Sequence, residues 1–100
     1  MATKKTWKWA KRVSLVVYRK ALKAAEKGDW LEVQRLTCTG LDCAFCEVAS
    51  GPCNLECPAF RICGRKPYMN AYAVRKGHRT PSAGLRHLRL TIAQLEALDV

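Results

Sequence analysis

The sequence predicts a small, mostly α-helical fold of the zinc-finger-like type, in which two to three helices pack around a cysteine-rich metal-binding loop. Apolar residues recur at helical spacing towards both ends of the 100-residue chain. All six cysteines lie between Cys38 and Cys63, and no stretch shows the alternation of a strand. This length suits a single domain, which we divide into a helical N-terminal part (6–36), a metal-binding cysteine segment (38–68) and a C-terminal helix (82–98).

The first helix is predicted to begin after Thr6 and to end at Gly28. A threonine hydroxyl can cap a helix N-terminus, and glycine tolerates the left-handed conformation that often ends a helix. Between these two positions the apolar residues recur every three or four positions and are expected to face the core: Trp7, Ala10, Val13, Val17, Ala21, Ala24 and Ala25.

A second, short helix is predicted from Asp29 to about Leu36. Asp29 and Glu32 have the spacing of a capping box, in which each residue's side chain accepts a hydrogen bond from the other's backbone N–H. Trp30 and Val33 are the expected core contacts of this helix.

The sequence signals for secondary structure are weak between the second helix and the last predicted helix. Residues 37–66 contain Gly, Pro, Asn and Cys without a sustained period, and residues 70–76 predict one or two helical turns closed by Gly77. Ser82 is the expected cap of the last helix, with Thr91-x-x-Gln94 as a possible later start. The apolar stripe of that helix consists of Leu85, Leu88, Ile92, Leu95 and Leu98.

The charge is strongly positive and unevenly distributed. Lys and Arg number 18 against 8 Asp and Glu, a formal net charge of +10. Residues 1–36 carry ten basic and three acidic side chains, residues 37–63 one and three, and residues 64–100 seven and two. The cysteine segment is therefore an acidic island between two basic arms, a pattern that favours polyanionic partners.

The apolar runs are short. A membrane span needs roughly 20 apolar residues, whereas runs such as Leu15 to Tyr18 are interrupted at once, here by Arg19 and Lys20. No small-residue cleavage site of a signal peptide follows. We therefore expect a cytoplasmic protein in reducing surroundings, with no membrane partner.

The cysteines have spacings that suit ligands of one structural zinc ion. A C-x2-C pair reaches one ion from a single turn, and two further thiols complete a tetrahedron that leaves no position for a catalytic water. Cys38 is the easiest to leave out, as a buried inert thiol. The C-x2-C pair consists of Cys43 and Cys46. The candidates for the remaining two ligand positions are Cys53, Cys57 and Cys63.

Other uses of the same thiols stay open. Three disulfides would require oxidising surroundings. The Cys38-x4-Cys43-x2-Cys46 spacing matches the first three ligands of plant-type [2Fe–2S] proteins, so an iron–sulfur cluster is the alternative cofactor. His78 and His87 are further candidate ligands, although a lone histidine in a basic stretch is more often solvated.

Cations follow one face of the predicted first helix. At about 100° per residue, five cations form a stripe opposite the apolar arc: Lys5, Lys8, Arg12, Arg19 and Lys23. Lys20, Lys27 and Trp9 lie at the edge of this stripe. Such a stripe can follow the phosphates of DNA or RNA, and about five neutralised phosphates would give a log–log salt slope near −4 to −5. The alternative is the solvated side of an amphipathic helix, but such faces usually mix both signs, and only Glu26 is acidic here. Basic residues in 65–66, 75–79 and 86–89 would extend the stripe if they folded to the same side.

The cysteine motifs carry a resemblance. Cys43-Ala-Phe-Cys46, Cys53-Asn-Leu-Glu-Cys57-Pro58 and Cys63-Gly-Arg-Lys-Pro67-Tyr68 follow one another along the chain. This order resembles a group of small, uncharacterised, cysteine-rich phage-encoded proteins with CxxC, CxxCP and CxGxPY elements, which also begin with a helix containing Trp and Lys. Here three residues instead of two separate Cys53 from Cys57, and Cys38 is additional. The resemblance implies a phage origin, residence in the host cytoplasm and one metal-ordered loop.

The sequence contains no phosphate-binding glycine loop, paired carboxylates or nucleophile motif, so we expect neither catalysis nor a small-molecule substrate. It predicts a nucleic-acid-binding accessory or regulatory factor built around structural zinc. The second hypothesis is a protein-binding inhibitor or adaptor that docks on a host nucleic-acid enzyme through the same positive face.

Overall fold

The computed structural model describes residues 6–37 and 66–99, which form four helices: α1 (Trp7–Glu26), α2 (Trp30–Leu36), α3 (Lys66–Arg75) and α4 (Pro81–Ala97). No strand occurs in these two ranges. The mostly helical class is confirmed, with four helices where two to three were predicted. The predicted metal-binding loop, from Cys38 to Cys63, lies outside the described residues.

Both ends of α1 confirm the sequence signals. The Thr6 hydroxyl accepts a hydrogen bond from the Trp9 backbone N–H at 3.1 Å. At the other end Gly28 adopts φ +82°, and its N–H donates to the Ala25 carbonyl at 2.9 Å. The left-handed glycine turns the chain away from the axis of α1 and directly into α2.

Only one of the two hydrogen bonds of the predicted capping box forms at the start of α2. The Asp29 carboxylate accepts from the Glu32 N–H at 3.2 Å, as predicted, and Trp30 and Val33 are buried. The return bond is absent because the Asp29 N–H donates to the Ala24 carbonyl, while the Glu32 carboxylate pairs with Arg35. The hydrogen bond from Arg35 lowers the pKa of Glu32 below its ordinary value.

α3 is longer than predicted. It begins at Lys66, four residues before the expected Asn70, and Pro67 occupies its first turn, where proline is tolerated because that N–H has no partner within a helix. The buried Asn70 amide donates to the Gly84 carbonyl at 3.1 Å and accepts from Arg79 at 2.7 Å. Gly77, at φ +78°, closes the turn after α3 as predicted.

The start of α4 corrects the prediction. Thr80, two residues before the expected Ser82, is the cap and accepts from the Ala83 N–H at 3.2 Å, with Pro81 as the first helical residue. No second start occurs at Thr91, which is buried within a continuous helix and donates its hydroxyl hydrogen to the His87 carbonyl at 2.9 Å.

Among the described helices, α1 packs against α2, α2 against α3 and α3 against α4, and α4 closes the ring by packing against α1. The first half of α1 shares a core cluster with α4, formed by Ala10, Leu15, Tyr18, Ile92 and Leu95. The second cluster draws on all four helices and contains Ala21, Ala25, Trp30, Val33, Ala71 and Leu88. Because α4 spans both clusters, it holds the N-terminal and C-terminal parts of the described chain together.

The buried side of α1 lies further round the helix than the predicted apolar arc. Val13 and Val17 are only half-buried, whereas Leu15 and Tyr18 are buried. The reason is the position of α4, which packs along the Leu15 side of α1. This rotation places a buried leucine directly beside the cationic stripe.

Candidate nucleic-acid interface

The cationic stripe of α1 forms an exposed row on the surface. Lys8, Arg12, Arg19 and Lys23, hereafter the basic face, are all exposed, whereas Lys5 lies outside the described residues. Lys8 and Lys23 are fifteen positions apart, which corresponds to about 22 Å at 1.5 Å per residue. Helix α1 itself contains one acid, Glu26 at its last position.

A groove of about 280 Å³ opens in this face. Its described lining consists of Lys8, Lys11, Arg12, Leu15, Val16 and Arg19. Leu15 belongs to the core and forms a buried floor, whereas Val16 is 47% exposed. Cationic groups therefore surround a small apolar surface, which the sequence reasoning missed because it treated the stripe as purely polar.

Lys11 has a structural role that the sequence reasoning also missed. Its ammonium group donates to the backbone carbonyls of Glu96 at 2.9 Å and Leu98 at 2.8 Å. These carbonyls lie at the C-terminal end of α4, where the helix dipole is negative and the last carbonyls have no intrahelical donors. Lys11 therefore ties α1 to the end of α4. The sequence signal for this role was the position of Lys11 on the helix, about 60° around the axis from Lys8 and towards the core.

Two acids reach the basic face, and each forms a surface ion pair that joins α1 to α4. Arg19 contacts Glu96 at 3.4 Å, and Glu26 contacts Arg89 at 3.5 Å. All four side chains are about half exposed, so each pair contributes little to stability. Arg89 is thus the basic residue of α4 that the fold brings beside the stripe.

Other basic residues expected as extensions lie elsewhere. Arg75 hydrogen-bonds to Gln34 of α2, and Arg79 hydrogen-bonds to Asn70. Lys76 lies 5.7 Å from the centre of the Tyr72 ring. α3 occupies the position across the helical ring from α1, so these cations do not continue the basic face.

The residues predicted at the edge of the stripe differ in their exposure. Lys20 and Lys27 are exposed, whereas Trp9 is half-buried and packs against the cluster between α1 and α4. The aromatic ring predicted to accompany the cations is therefore engaged with the core.

The predicted zinc ligands Cys43, Cys46, Cys53, Cys57 and Cys63 lie outside the described residues. Within residues 6–37 and 66–99, no group of three or more His, Cys, Asp or Glu side chains could hold a metal ion. His78 is exposed at the surface, and His87 is half-buried beside Thr91.

No family model, curated protein or solved structure matches this chain. None of the described helices combines the length and apolarity of a membrane span.

Proposed function

We propose that the protein is a non-catalytic nucleic-acid-binding accessory or regulatory factor that contacts phosphates through the basic face of α1. The observation that carries the proposal is the exposed row of Lys8, Arg12, Arg19 and Lys23 on one side of a single helix. A rigid helix holds these cations at fixed intervals, so the row can follow a phosphate backbone without reordering the chain.

The electrostatic balance supports this proposal. Five cations (Lys8, Arg12, Arg19, Lys23, Arg89) stand against two acids (Glu26, Glu96), a local excess of 5 − 2 = +3. Both acids are in exposed pairs that phosphate can replace at little cost. A face that only needed to be solvated would carry more acids, because mixed charges give solubility without self-repulsion.

The proposal includes one structural zinc ion bound by Cys43, Cys46 and two of Cys53, Cys57 and Cys63. Its support is the C-x2-C spacing, which lets two thiols reach one ion from a single turn. Elemental analysis of purified protein should give one zinc per chain and four thiols that become reactive only after chelation. A brown sample containing iron and sulfide would replace zinc with an iron–sulfur cluster, and metal-free protein with cross-linked thiols would remove the metal altogether.

The test of binding is a fluorescence anisotropy titration with labelled duplex DNA at several salt concentrations between about 50 and 200 mM. The unmodified protein should show a log–log salt slope near −4 to −5. The double variant Lys8→Gln/Arg12→Gln should make this slope shallower by about 1.8, since each lost phosphate contact changes it by about 0.9.

The matched control is Arg75→Gln/Lys76→Gln, which removes the same charge from the end of α3 and the turn that follows it. It should leave the slope nearly unchanged, because those cations lie across the ring from α1. Equal effects of the two double variants would show that only net charge matters. Absence of DNA and RNA binding at low salt would refute the proposed function and favour docking on an acidic protein surface.

A further inference from the structure

The groove in the basic face points to a more specific ligand. We infer that it receives one unstacked base, so that α1 selects single-stranded nucleic acid over duplex. This inference rests on the proposed function and identifies the form of nucleic acid that the basic face binds.

The first step is the spacing of the cations. Lys8 and Arg12 are about 6 Å apart along the helix axis, as are Arg19 and Lys23, whereas Arg12 and Arg19 are separated by about 10 Å. The groove is lined by residues from Lys8 to Arg19, and its apolar members Leu15 and Val16 lie in this longer interval. The apolar part of the groove therefore lies between Arg12 and Arg19, and further cations line the groove on the Lys8 side.

The second step is the chemistry of the depression. Bases stack on apolar surfaces and on guanidinium planes, while their phosphates remain outside and pair with cations. Arg12 and Arg19 border the apolar side chains of Leu15 and Val16, Lys8 and Lys11 also line the groove, and Lys23 lies beyond it. The volume of about 280 Å³ is just below the usual 300–1,000 Å³ of pockets for drug-sized ligands, which suits one base.

The third step concerns which nucleic acid can reach the floor. In a duplex the bases are paired inside and a helix lying along the backbone contacts phosphate and sugar, so the apolar surface would gain no partner. In a single strand an unpaired base can turn towards the protein. A membrane surface fits less well, since interfacial helices expose a broad apolar face, and the broad apolar face of α1 is buried against α2 and α4.

The test compares an oligothymidylate of about 12 nucleotides with a duplex of equal length, using the full-length protein. The single strand should bind at least about fivefold more tightly, consistent with the gain from stacking one base. Val16→Thr, which replaces a methyl group by a hydroxyl of similar size, should remove most of this preference and change duplex affinity less than about twofold. Val16→Tyr should strengthen single-strand binding about tenfold by adding a stacking ring.

Leu31→Thr is the matched control, because Leu31 is also an exposed aliphatic residue and lies on α2. It should leave both affinities unchanged, and helical circular dichroism should show that all three variants are folded. Equal single-strand and duplex affinities, with Val16→Thr inert and Lys8→Gln/Arg12→Gln weakening both, would overturn the inference while leaving nucleic-acid binding intact. Absence of binding to either probe would overturn both proposals, as would binding only to vesicles of anionic lipid.

Discussion

Gly84→Ala is expected to destabilise the protein, although glycine to alanine inside a helix is usually stabilising. Gly84 lies in the first part of α4, where the indole ring of Trp30 packs over it. A Cβ added at this position would lie 2.7 Å from Trp30 Cη2 and 2.7 Å from Val74 Cγ2. Ordinary contacts of a Cβ are 3.4–4 Å, so either α4 or its two neighbours must move.

The two opposing effects can be compared. Helix propensity favours alanine over glycine by about 1 kcal/mol, whereas inserting a methyl group into a packed core costs about 1–3 kcal/mol. The neighbours yield little, because an indole ring is rigid, valine is β-branched, and the Asn70 bond to the Gly84 carbonyl holds the backbone. We expect a net loss of about 1 kcal/mol, which lowers the Tm of a domain of this size by about 4–8 °C.

The assay is urea unfolding followed by helical circular dichroism, with thiols reduced and metal content held constant. Ala93→Gly, at an exposed site in the middle of the same helix, measures the propensity effect alone and should cost about 1 kcal/mol. In a double-mutant cycle the alanine at position 84 should cost less when Val74 is also replaced by alanine. A Gly84→Ala protein more stable than the parent would refute the close contact with Trp30.

Two further predictions concern the contacts between α1 and α4. Glu96→Gln frees Arg19 and should increase DNA affinity by about two- to threefold at low salt, the energy of one exposed ion pair; Glu32→Gln on α2, tested by the same titration, should have no such effect. Lys11→Met removes both hydrogen bonds that the Lys11 ammonium group donates to the last carbonyls of α4 and should lower the free energy of unfolding by about 1 kcal/mol. Lys8→Met is its control in urea unfolding and should cost less than about 0.5 kcal/mol, so equal losses would show that Lys11 has no special role.

Local signals in the chain predicted local structure well. The caps at Thr6 and Asp29 and the glycine turns at Gly28 and Gly77 were predicted, because each depends on residues within one or two turns. The predictions were wrong where the local structure depends on residues far away in the sequence. α3 extends back to Lys66, and its buried Asn70 is satisfied by Gly84 and Arg79 from later in the chain.

The site shows the same division between local and distant causes. Helical spacing predicted that Lys8, Arg12, Arg19 and Lys23 would share an exposed face, and they do. It could not predict that α4 would pack beside this face, bury Leu15, engage Lys11 and bring Glu96 to Arg19. The groove lies next to that packing, since Leu15 belongs both to the core shared with α4 and to the lining of the groove.

Sequence alone therefore determined the helical class, most helix ends and the row of cations, because a helix repeats every 3.6 residues whatever surrounds it. Tertiary structure decided which side of α1 is buried, which lysine becomes a structural tie and where an apolar surface opens among the charges. These features depend on contacts between residues some seventy to ninety positions apart, and local periodicity carries no information about such pairs.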